Sequence, residues 1–310
     1  MMYIASRMAG LQAVATVVLS MTVGSAQAAE CGNGGAGFDA WLSKYKAQAT
    51  AQGIKPSTIA SALEGVSYDP NVVRLDRSQR SFKLSFDQFY AKRVSNALIA
   101  RGRRMLQAHQ GTVQRIEQRY GVPGAVLVAI WGLETNYGSD GGGRHSIVRS
   151  IATLAYDCRR TDFFRNELIS ALRIIDRGDM SVEQMRGGWA GEIGQVQFLP
   201  SSYFKYAVDF DGNGRRDLVR SVPDMLASTA NFLKSKGWKA GAPWGPGTSN
   251  YAALQEWNRA EVYSQTIAVM ATMWAAAMWP DWVDEYLGML HVRGDAWAGT
   301  EVERHGDVRR

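Results

Sequence analysis

Residues 123–138 read PGAVLVAIWGLETNYG, and this stretch decides the fold more than any other. Proline suits the first position of a helix and glycine the position just past its end, so Pro123 and Gly138 bracket one predicted helix. Its interior, AVLVAIWGL, is apolar on every face, which is typical of a helix buried on all sides. A single carboxyl, that of Glu134, follows this apolar run.

Helical periodicity continues on both sides of this segment, and runs with strand periodicity are few. Glycine-rich stretches at 32–37, 138–143 and 239–250 are typical of loops. We therefore predict an all-α fold. The other predicted helices are Phe38–Gln52, Pro56–Leu63, Phe86–Tyr120, Phe163–Arg177, Pro200–Val208, Val222–Lys236 and Gln265–Met278.

Residues 1–29 have the three parts of a secretory signal peptide. Arg7 is the basic residue, 11–23 is a short apolar run, and AQA at 26–28 forms a cleavage site. An uncleaved membrane anchor is the alternative, but the apolar run is short for the ~20 residues that a span needs. We expect cleavage and no lipid anchor, because no run of small apolar residues precedes Cys31.

Without this segment the net charge falls from +6 to +5, because Arg7 is its single charged residue. Mild basicity suits an anionic polymer, although many exported proteins share it. The chain lacks the arginine-rich helix or zinc-ligand spacing that would indicate nucleic-acid binding. No later segment could span a bilayer. We expect a soluble exported protein with one domain at 30–292 and a polar tail at 293–310.

Cys31 and Cys158 are the two cysteines of the chain. An even count in an exported protein favours a disulfide bond. Closing so long a loop would stabilise the fold by roughly 4–5 kcal/mol, less any strain, in the chain-entropy model. Two buried free thiols are the alternative.

Glu134 is the first candidate for chemistry. Ile130, Trp131 and Leu133 precede it, and burial among such side chains disfavours an ionised carboxyl and raises its pKa. A raised pKa suits a general acid near neutral pH. The glycines within 138–143 would leave room for a substrate. A glutamate at a helix end that points at solvent is the alternative.

Residues 187–203, GGWAGEIGQVQFLPSSY, form the second candidate. Small residues allow close backbone approach, amides can bond sugar hydroxyls, and aromatic faces can stack on sugar rings. A tight connection between helices, with packed aromatic rings, is the alternative.

Three motifs occur together in one order: ETNYG at 134–138, AGEIGQVQFLPSSY at 190–203 and YAVDFDGNG at 206–214. They resemble those of the membrane-bound lytic murein transglycosylase B family, a glycoside hydrolase family. The resemblance covers roughly 38–287 and implies a lysozyme-like fold.

The resemblance also implies a reaction. Members of this family cleave the β-1,4 bond between N-acetylmuramic acid and N-acetylglucosamine in peptidoglycan glycan strands, without water and with no cofactor required. The muramic acid 6-hydroxyl attacks its own C1 and leaves a 1,6-anhydro end. One carboxyl, Glu134 here, would act first as acid and then as base, unlike the usual carboxyl pair of glycosidases.

Several positions match, one by one, residues that line the glycan cleft in this family. Among these positions, Arg159 and Arg160 could instead be a solvated basic pair. Glu192 is the nearest second acid, and the family pattern does not demand a carboxylate there, so we expect a structural or substrate-contacting role. The residues expected to bind substrate are Tyr137, Arg159, Arg160, Glu192, Gln197, Trp257 and Asn258.

Gly188 departs from the family pattern, which often has a serine placed to contact the catalytic glutamate. Glycine removes that hydroxyl. How Glu134 is held is therefore an open question at the level of sequence.

Residues 209–224 resemble the start of an EF-hand calcium loop. Arg220 stands at the twelfth position, where a bidentate glutamate belongs, and Asp224 could replace it although the spacing is one residue too long. A metal-free turn with Asx hydrogen bonds is the alternative. The candidate ligands for a structural calcium ion are Asp209, Asp211, Asn213, Arg215, Asp217 and Asp224.

These observations together predict a monomeric, periplasmic lytic transglycosylase. A hydrolytic muramidase on the same scaffold is one alternative. A non-catalytic peptidoglycan-binding protein is the other, and the intact Glu134 argues against it.

Overall fold

The computed structural model describes residues 31–78 and 84–276. In these residues the backbone forms thirteen helices and one small antiparallel sheet, which confirms the all-α prediction. The sheet consists of β1 (His145–Ser146) and β2 (Arg186–Gly187). The helices are α1 (Phe38–Ala51), α2 (Pro56–Leu63), α3 (Pro70–Ser78), α4 (Phe86–Arg93), α5 (Asn96–Ala108), α6 (Gln110–Tyr120), α7 (Gly124–Thr135), α8 (Ile147–Tyr156), α9 (Thr161–Asp176), α10 (Pro200–Tyr206), α11 (Val222–Ser235), α12 (Ser249–Trp257) and α13 (Glu261–Ala276).

Helix α7 lies at the centre of the core. All of its residues except Glu134 are buried, as its apolar sequence predicts. Helix α13 packs along it, and α5, α6 and α11 also contact it. Two consecutive residues with left-handed backbone, Asn136 at φ 49° and Tyr137 at φ 57°, end the helix. The chain therefore turns away directly after Glu134 and leaves its carboxyl as the polar end of a covered helix.

Helices α8 and α9 form the centre of a second group. Helix α10 packs on α9. The N-terminal helices α1, α2 and α3 also pack on α8 or α9. The ring of Trp41 stacks on Tyr45 at 5.3 Å, and Phe38 meets Tyr156 edge-on at 5.6 Å. Because these rings are buried together, the N-terminal helices are part of the main core.

Cys31 and Cys158 form the predicted disulfide bond, with their Cα atoms 5.1 Å apart. The Gly32 N–H donates to the Tyr156 carbonyl at 2.9 Å beside it. The bond joins the start of the described chain to the turn that carries the two arginines before α9.

The predicted helix at 86–120 is in fact three helices, α4, α5 and α6. The Ser95 hydroxyl accepts the Leu98 N–H at 3.1 Å and caps α5, a local bond that competes with a continuous helix. The second break is at His109, whose φ of −112° lies outside the helical range. Apolar residues keep their helical spacing on both sides of these breaks, so the pattern concealed them.

Helices α3, α8 and α12 were not predicted. Helix α12 begins inside the stretch at 239–250 that was predicted as a loop. The Thr248 hydroxyl caps it by accepting the Tyr251 N–H at 3.1 Å. Helix α13 begins at Glu261 rather than at Gln265.

The predicted signal peptide at 1–29, the tail at 293–310 and the predicted helix end at Met278 lie outside the described residues. From Cys31 onward the described residues form one contact unit. None of the helices in 31–78 or 84–276 has the length and apolar character needed to cross a membrane.

Candidate active site

Glu134 stands on the last turn of α7, partly exposed, with its carboxyl at the edge of a cleft. Trp257, at the end of α12, donates its Nε1–H to Glu134 Oε1 at 2.9 Å. The Tyr263 hydroxyl of α13 interacts with the same carboxyl in a geometry short of a full hydrogen bond. Both side chains come from the C-terminal helices, so the packing of α13 on α7 assembles the surroundings of Glu134.

Burial raises the pKa of the Glu134 carboxyl. Hydrogen bonding by Trp257 and Tyr263 and the positive charge of Arg93 lower this pKa. The negative charge of Glu192 raises it again, and the sum of these effects is upward. A carboxyl with a raised pKa that faces open space is suited to act as a general acid.

The cleft in front of Glu134 has a volume of about 480 Å³. Its walls carry carboxyls, one arginine, amides and aromatic rings, a mixture suited to a polar ligand with flat faces. The structure brings six predicted site residues together here: Glu134, Arg160, Glu192, Gln197, Trp257 and Asn258.

The connection from β2 to α10 forms one wall of the cleft. Ile193 and Phe198 exchange two backbone hydrogen bonds, at 2.7 and 3.0 Å. Gln197 lies between them at φ 55° and donates its Nε2 to the carbonyls of Gly142 at 3.0 Å and Gly194 at 2.8 Å. The side chain of Gln197 is therefore fixed at the cleft rather than free to rotate.

Gln195 joins this wall to α7. Its side-chain oxygen accepts the Trp131 Nε1–H at 2.9 Å, and its carbonyl accepts the Thr135 hydroxyl at 2.6 Å. Because Thr135 follows Glu134 directly, the wall and the candidate acid are held in one hydrogen-bonded unit.

The two predicted arginines share one buried carboxylate, that of Asp76 on α3. Asp76 is 2% exposed and pairs with Arg159 Nη1 at 2.5 Å and with Arg160 Nη2. Arg160 also lies over the Phe164 ring at 4.8 Å and lines the cleft. Arg159 is not among the described residues that line the cleft. It pairs with Asp76, and Asp76 in turn fixes Arg160.

Tyr137 lies in the core and not in the cleft, which corrects its assignment to substrate binding. It is 5% exposed, and its hydroxyl donates to the Leu98 carbonyl at 2.9 Å. Its ring meets Trp131 edge-on at 5.6 Å. The left-handed conformation at this position turns the side chain back under α7.

Several residues of the site were not named as candidates from the sequence, and four of them are described here. Phe163 is 44% exposed at the cleft, Trp189 lines it, and Glu256 lies at its rim in an ion pair with Lys236 at 2.6 Å. The sequence signal for Phe163 and Trp189 was the presence of an aromatic residue close to Arg160 and to Gly188, respectively. Tyr263 is the fourth, and nothing in its sequence context marks it, because only the packing of α13 on α7 brings it to Glu134.

The space left by Gly188 is filled by Glu192. A Cβ atom at Gly188 would lie 2.9 Å from Glu192 Cδ, closer than side-chain atoms approach. The Ala190 N–H donates to Glu192 Oε2 at 3.0 Å and holds the carboxyl in this space. Trp257 and Tyr263, rather than a side chain at 188, contact Glu134.

The acidic loop, defined as residues 209–224, brings one oxygen from each of Asp209, Asp211 and Asp224 within 4.8 Å of one another. Asp224 is fully buried and accepts the backbone N–H groups of Phe210 at 2.8 Å, Asp211 at 3.2 Å and Asp217 at 2.9 Å. Three converging carboxylates suit a hard cation, but these oxygens already have hydrogen-bond donors.

The remaining predicted ligands of the acidic loop are engaged with their neighbours. The Asp217 carboxylate pairs with Arg220, at the twelfth position, at 2.8 Å. The Asn213 side-chain oxygen accepts the Arg215 N–H at 2.9 Å. The acidic loop is thus a network of Asx turns in which the carboxylates of Asp209, Asp211 and Asp224 converge.

Comparison with known proteins gives a consistent result. Residues 37–248 match the family model described as the transglycosylase SLT domain. Membrane-bound lytic murein transglycosylase B of Escherichia coli (strain K12) is 37% identical over 134 residues, which are 43% of this chain. The match spans 37% of the length of that curated relative.

Solved structures share the fold. SltB3 from Pseudomonas aeruginosa, in complex with NAG-anhNAM-pentapeptide, has a TM-score of 0.72 and 32% identity, over 77% of this chain and 79% of that one. The E. coli lytic transglycosylase Slt35 in complex with bulgecin A has a TM-score of 0.68 and 22% identity, over 76% and 93%.

A buried helix that ends in a carboxyl at an open cleft, within an all-α fold shared with these structures, defines a lysozyme-like protein. The chain belongs to the transglycosylase SLT domain family. The resemblance to lytic murein transglycosylases seen in the sequence is thereby confirmed.

Proposed function

We propose that this protein cleaves the glycan strands of peptidoglycan as a lytic transglycosylase. The observation that carries the proposal is the Glu134 carboxyl. Burial raises the pKa of this carboxyl, and the carboxyl faces a cleft lined by aromatic rings, amides and Arg160. SltB3, at 32% identity, is described in complexes with NAG-NAM-pentapeptide and NAG-anhNAM-pentapeptide, which supports the same substrate class.

In the proposed reaction Glu134 acts twice. As an acid it gives its proton to the oxygen that leaves C1 of N-acetylmuramic acid, and the C1–O bond breaks. The 6-hydroxyl of the same sugar then bonds to C1 and returns a proton to the Glu134 carboxylate. The product ends in a 1,6-anhydro ring, the carboxyl is protonated again, and no water is consumed.

The residues around Glu134 support both states of this carboxyl. Burial favours the protonated acid, as the first step requires. The Trp257 N–H, the Tyr263 hydroxyl and the positive charge of Arg93 favour the carboxylate formed in that step. Donors fixed before the reaction need no rearrangement as charge develops, which is the most effective form of electrostatic stabilisation.

The glycan is proposed to lie along the cleft past Arg160, Gln197 and Asn258. Arg160 offers a fixed positive charge and Gln197 a fixed amide for N-acetyl and hydroxyl groups. Phe163 and Trp189 offer flat apolar faces for sugar rings. The protein would work as an exported periplasmic monomer, without a cofactor, with its signal peptide removed and with no nucleic-acid partner.

We propose that the acidic loop binds a structural calcium ion weakly. Slt35, at 22% identity, is described in complex with calcium. Asp209, Asp211 and Asp224 would hold the ion with one oxygen each. The ion would have no part in the reaction, because none of these three residues lines the cleft.

Product analysis tests the proposed reaction. Purified sacculi are digested with the mature protein, and the soluble muropeptides are examined by mass spectrometry. We expect anhydromuropeptides, which are lighter by one water than the products of hydrolysis. Reducing-end muropeptides alone would identify a hydrolytic muramidase, for which a second carboxyl such as Glu192 is the structural argument. Binding without any release would identify a non-catalytic protein.

A further inference from the structure

Gln195 lies in the wall of the cleft formed by the connection from β2 to α10, and it contacts α7 at three points. Its side-chain oxygen accepts the Trp131 Nε1–H at 2.9 Å, and its carbonyl accepts the Thr135 hydroxyl at 2.6 Å. A Cβ atom at Gly138 would collide with the same side-chain oxygen, so Gln195 also packs closely against that glycine. Gln195 therefore holds the chain both before and after Glu134.

The opposite side of Gln195 is fixed to the acidic loop. Its backbone N–H donates to the Leu218 carbonyl at 3.0 Å, and its side-chain Nε2 donates to the Val219 carbonyl at 2.9 Å. Leu218 is fully buried, so this anchor belongs to the core. Each polar group of Gln195 thus has a partner, and a rotation of its side chain would break two hydrogen bonds.

The turn that ends α7 needs such support. Asn136, Tyr137 and Gly138 have φ angles of 49°, 57° and 78°, so three consecutive residues are left-handed. Residues with a side chain adopt this conformation only where the surrounding structure holds them in it. The Thr135 hydroxyl accepts the Gly138 N–H at 3.0 Å while it donates to the Gln195 carbonyl. This hydroxyl therefore connects Gln195 directly to the left-handed turn.

We propose that Gln195 is a positioning residue that acts through Thr135 and fixes the Glu134 carboxyl relative to the wall of the cleft. The inference deepens the proposed function and rests on it for the reaction. Gln197, two residues further along the same wall, is proposed to contact the sugar. Because Gln195 belongs to this wall and also bonds to α7, it sets the distance between the bound sugar and the acid. Loss of these bonds should slow the reaction and leave sugar binding in place.

The first experiment compares Thr135→Val with Thr135→Ser. Valine keeps the shape of threonine but can neither accept the Gly138 N–H nor donate to the Gln195 carbonyl, whereas serine retains the hydroxyl. A misplacement of ~1 Å can cost ~10²-fold in rate, so kcat for muropeptide release should fall by roughly ten- to a hundredfold in Thr135→Val. KM should change by less than about twofold, because the lost contacts do not touch the substrate. Thr135→Ser should restore most of the wild-type kcat.

Thr153→Val is the matched control. Thr153 on α8 is fully buried and is bonded in the same way as Thr135. Its hydroxyl donates to the Arg149 carbonyl at 2.9 Å and accepts the Asp69 N–H at 3.1 Å. Thr153 is not among the described residues that line the cleft. Thr153→Val should lower the Tm, as Thr135→Val does, and leave the kcat of the folded protein unchanged.

Gln195→Met tests the side-chain half of these contacts. Methionine has a similar length but loses the hydrogen bonds to Trp131 and Val219, while the backbone carbonyl that accepts the Thr135 hydroxyl remains. We expect a smaller fall in kcat, of roughly fivefold, the factor that corresponds to one neutral hydrogen bond. Thr135→Val/Gln195→Met should lose less than the product of the two single factors, because both changes act on one turn.

A spectroscopic measurement needs no substrate. The Trp257 Nε1–H donates to Glu134 Oε1 at 2.9 Å, so its ¹H–¹⁵N resonance, assigned with Trp257→Phe, reports the position of the carboxyl. In Thr135→Val this resonance should move toward its position in Glu134→Ala, where the hydrogen bond is absent. In Thr153→Val it should stay at the wild-type position.

A Trp257 resonance unchanged in both Thr135→Val and Gln195→Met would overturn the proposal. So would an equal fall of kcat in Thr153→Val, which would reduce these contacts to general stability. A raised KM with the wild-type kcat would mean that Gln195 shapes the wall for binding and does not act on Glu134. If the wild-type protein released no muropeptides, the proposed function would fail, while the resonance of Trp257 would still decide whether Gln195 holds Glu134.

Discussion

The cleft and the acidic loop both concentrate carboxyl groups, and they use them in opposite ways. Glu134 in the cleft is partly exposed, has one full hydrogen bond, from Trp257, and has a raised pKa. Asp224 in the acidic loop is fully buried, yet three backbone N–H groups surround its oxygens. The larger number of fixed donors suits Asp224 to holding a loop together, whereas Glu134 leaves its carboxyl at the edge of the cleft.

Glu134→Gln should produce the largest change in activity. The amide keeps the size of the side chain but can neither give nor take the proton, and general acid–base catalysis typically contributes ~10²–10⁴-fold. We expect kcat for muropeptide release to fall by roughly that factor or more. Binding to intact sacculi, measured by co-sedimentation, should remain. Lysis at the wild-type rate would show that Glu134 is not the acid.

Glu134→Gln also tests how much the raised pKa of the Glu134 carboxyl costs in stability. A carboxyl whose pKa is raised on folding stabilises the protein below its unfolded pKa and loses that advantage as the pH rises through the folded value. The wild-type protein should therefore lose stability relative to Glu134→Gln as the pH rises above the ordinary range of glutamate. Urea unfolding at several pH values measures this, and a difference that shrinks with pH would contradict it.

Asp224→Ala should produce the largest change in stability. The change leaves the N–H groups of Phe210, Asp211 and Asp217 without their acceptor, and an unsatisfied donor that is kept from water costs roughly 1–3 kcal/mol. We expect the free energy of unfolding to fall by about 3 kcal/mol. The kcat of the folded fraction should be close to that of the wild-type protein, because Asp224 does not line the cleft.

Asp211→Ala is the matched control for this change. Its side chain is exposed, and it accepts the Asn213 N–H at 3.2 Å and the Ser221 hydroxyl at 2.8 Å near the surface. Groups there can bond to water once the carboxylate is gone, so the loss should be well under that of Asp224→Ala. Equal losses would mean that burial of the acceptor does not matter, and the contrast between the two acidic regions would weaken.

How far the sequence could predict this site depends on whether a signal is local. Glu134 was predictable because it alone interrupts an apolar helix, and the disulfide because the cysteine count allowed one pairing. Gln197 and Asn258 were found through motifs. Tyr137 was assigned wrongly to the substrate, because its motif does not reveal that a φ of 57° turns the ring into the core.

The rest of the fold depends on contacts between distant parts of the chain. Tyr263 reaches Glu134 only because α13 packs along α7. The break at Ser95 was hidden, because a serine that caps a helix and a serine within one look alike until the Leu98 N–H is placed. The role of Gly188 as space for Glu192 likewise needs coordinates.

Trp257→Phe sharpens the contrast by removing the one full hydrogen bond of Glu134. The N–H favours the carboxylate, so without it the pKa of Glu134 should rise. The alkaline limb of the pH profile of kcat, where Glu134 loses its proton, should therefore move to higher pH. A hydrogen bond to a charged group contributes about 1.5 kcal/mol, so kcat should fall about tenfold. Trp238→Phe loses a similar bond, to the Gly121 carbonyl, away from the cleft, and should leave the limb in place. A limb that moves to lower pH would contradict the role given to Trp257.

Calcium should have the smallest effect. Since backbone N–H groups already satisfy Asp209 and Asp224, an ion would add little, and a dissociation constant of ~10⁻³ M is typical of weak extracellular sites. At a calcium concentration equal to that constant, the gain in stability is about 0.4 kcal/mol. Calorimetry should show a slightly higher Tm in ~1 mM calcium, about one dissociation constant, than in the presence of a chelator. Asp211→Asn should abolish this difference. A rise of several kcal/mol would mean that the N–H network does not hold the loop by itself, and the two acidic regions would then differ less than the structure indicates.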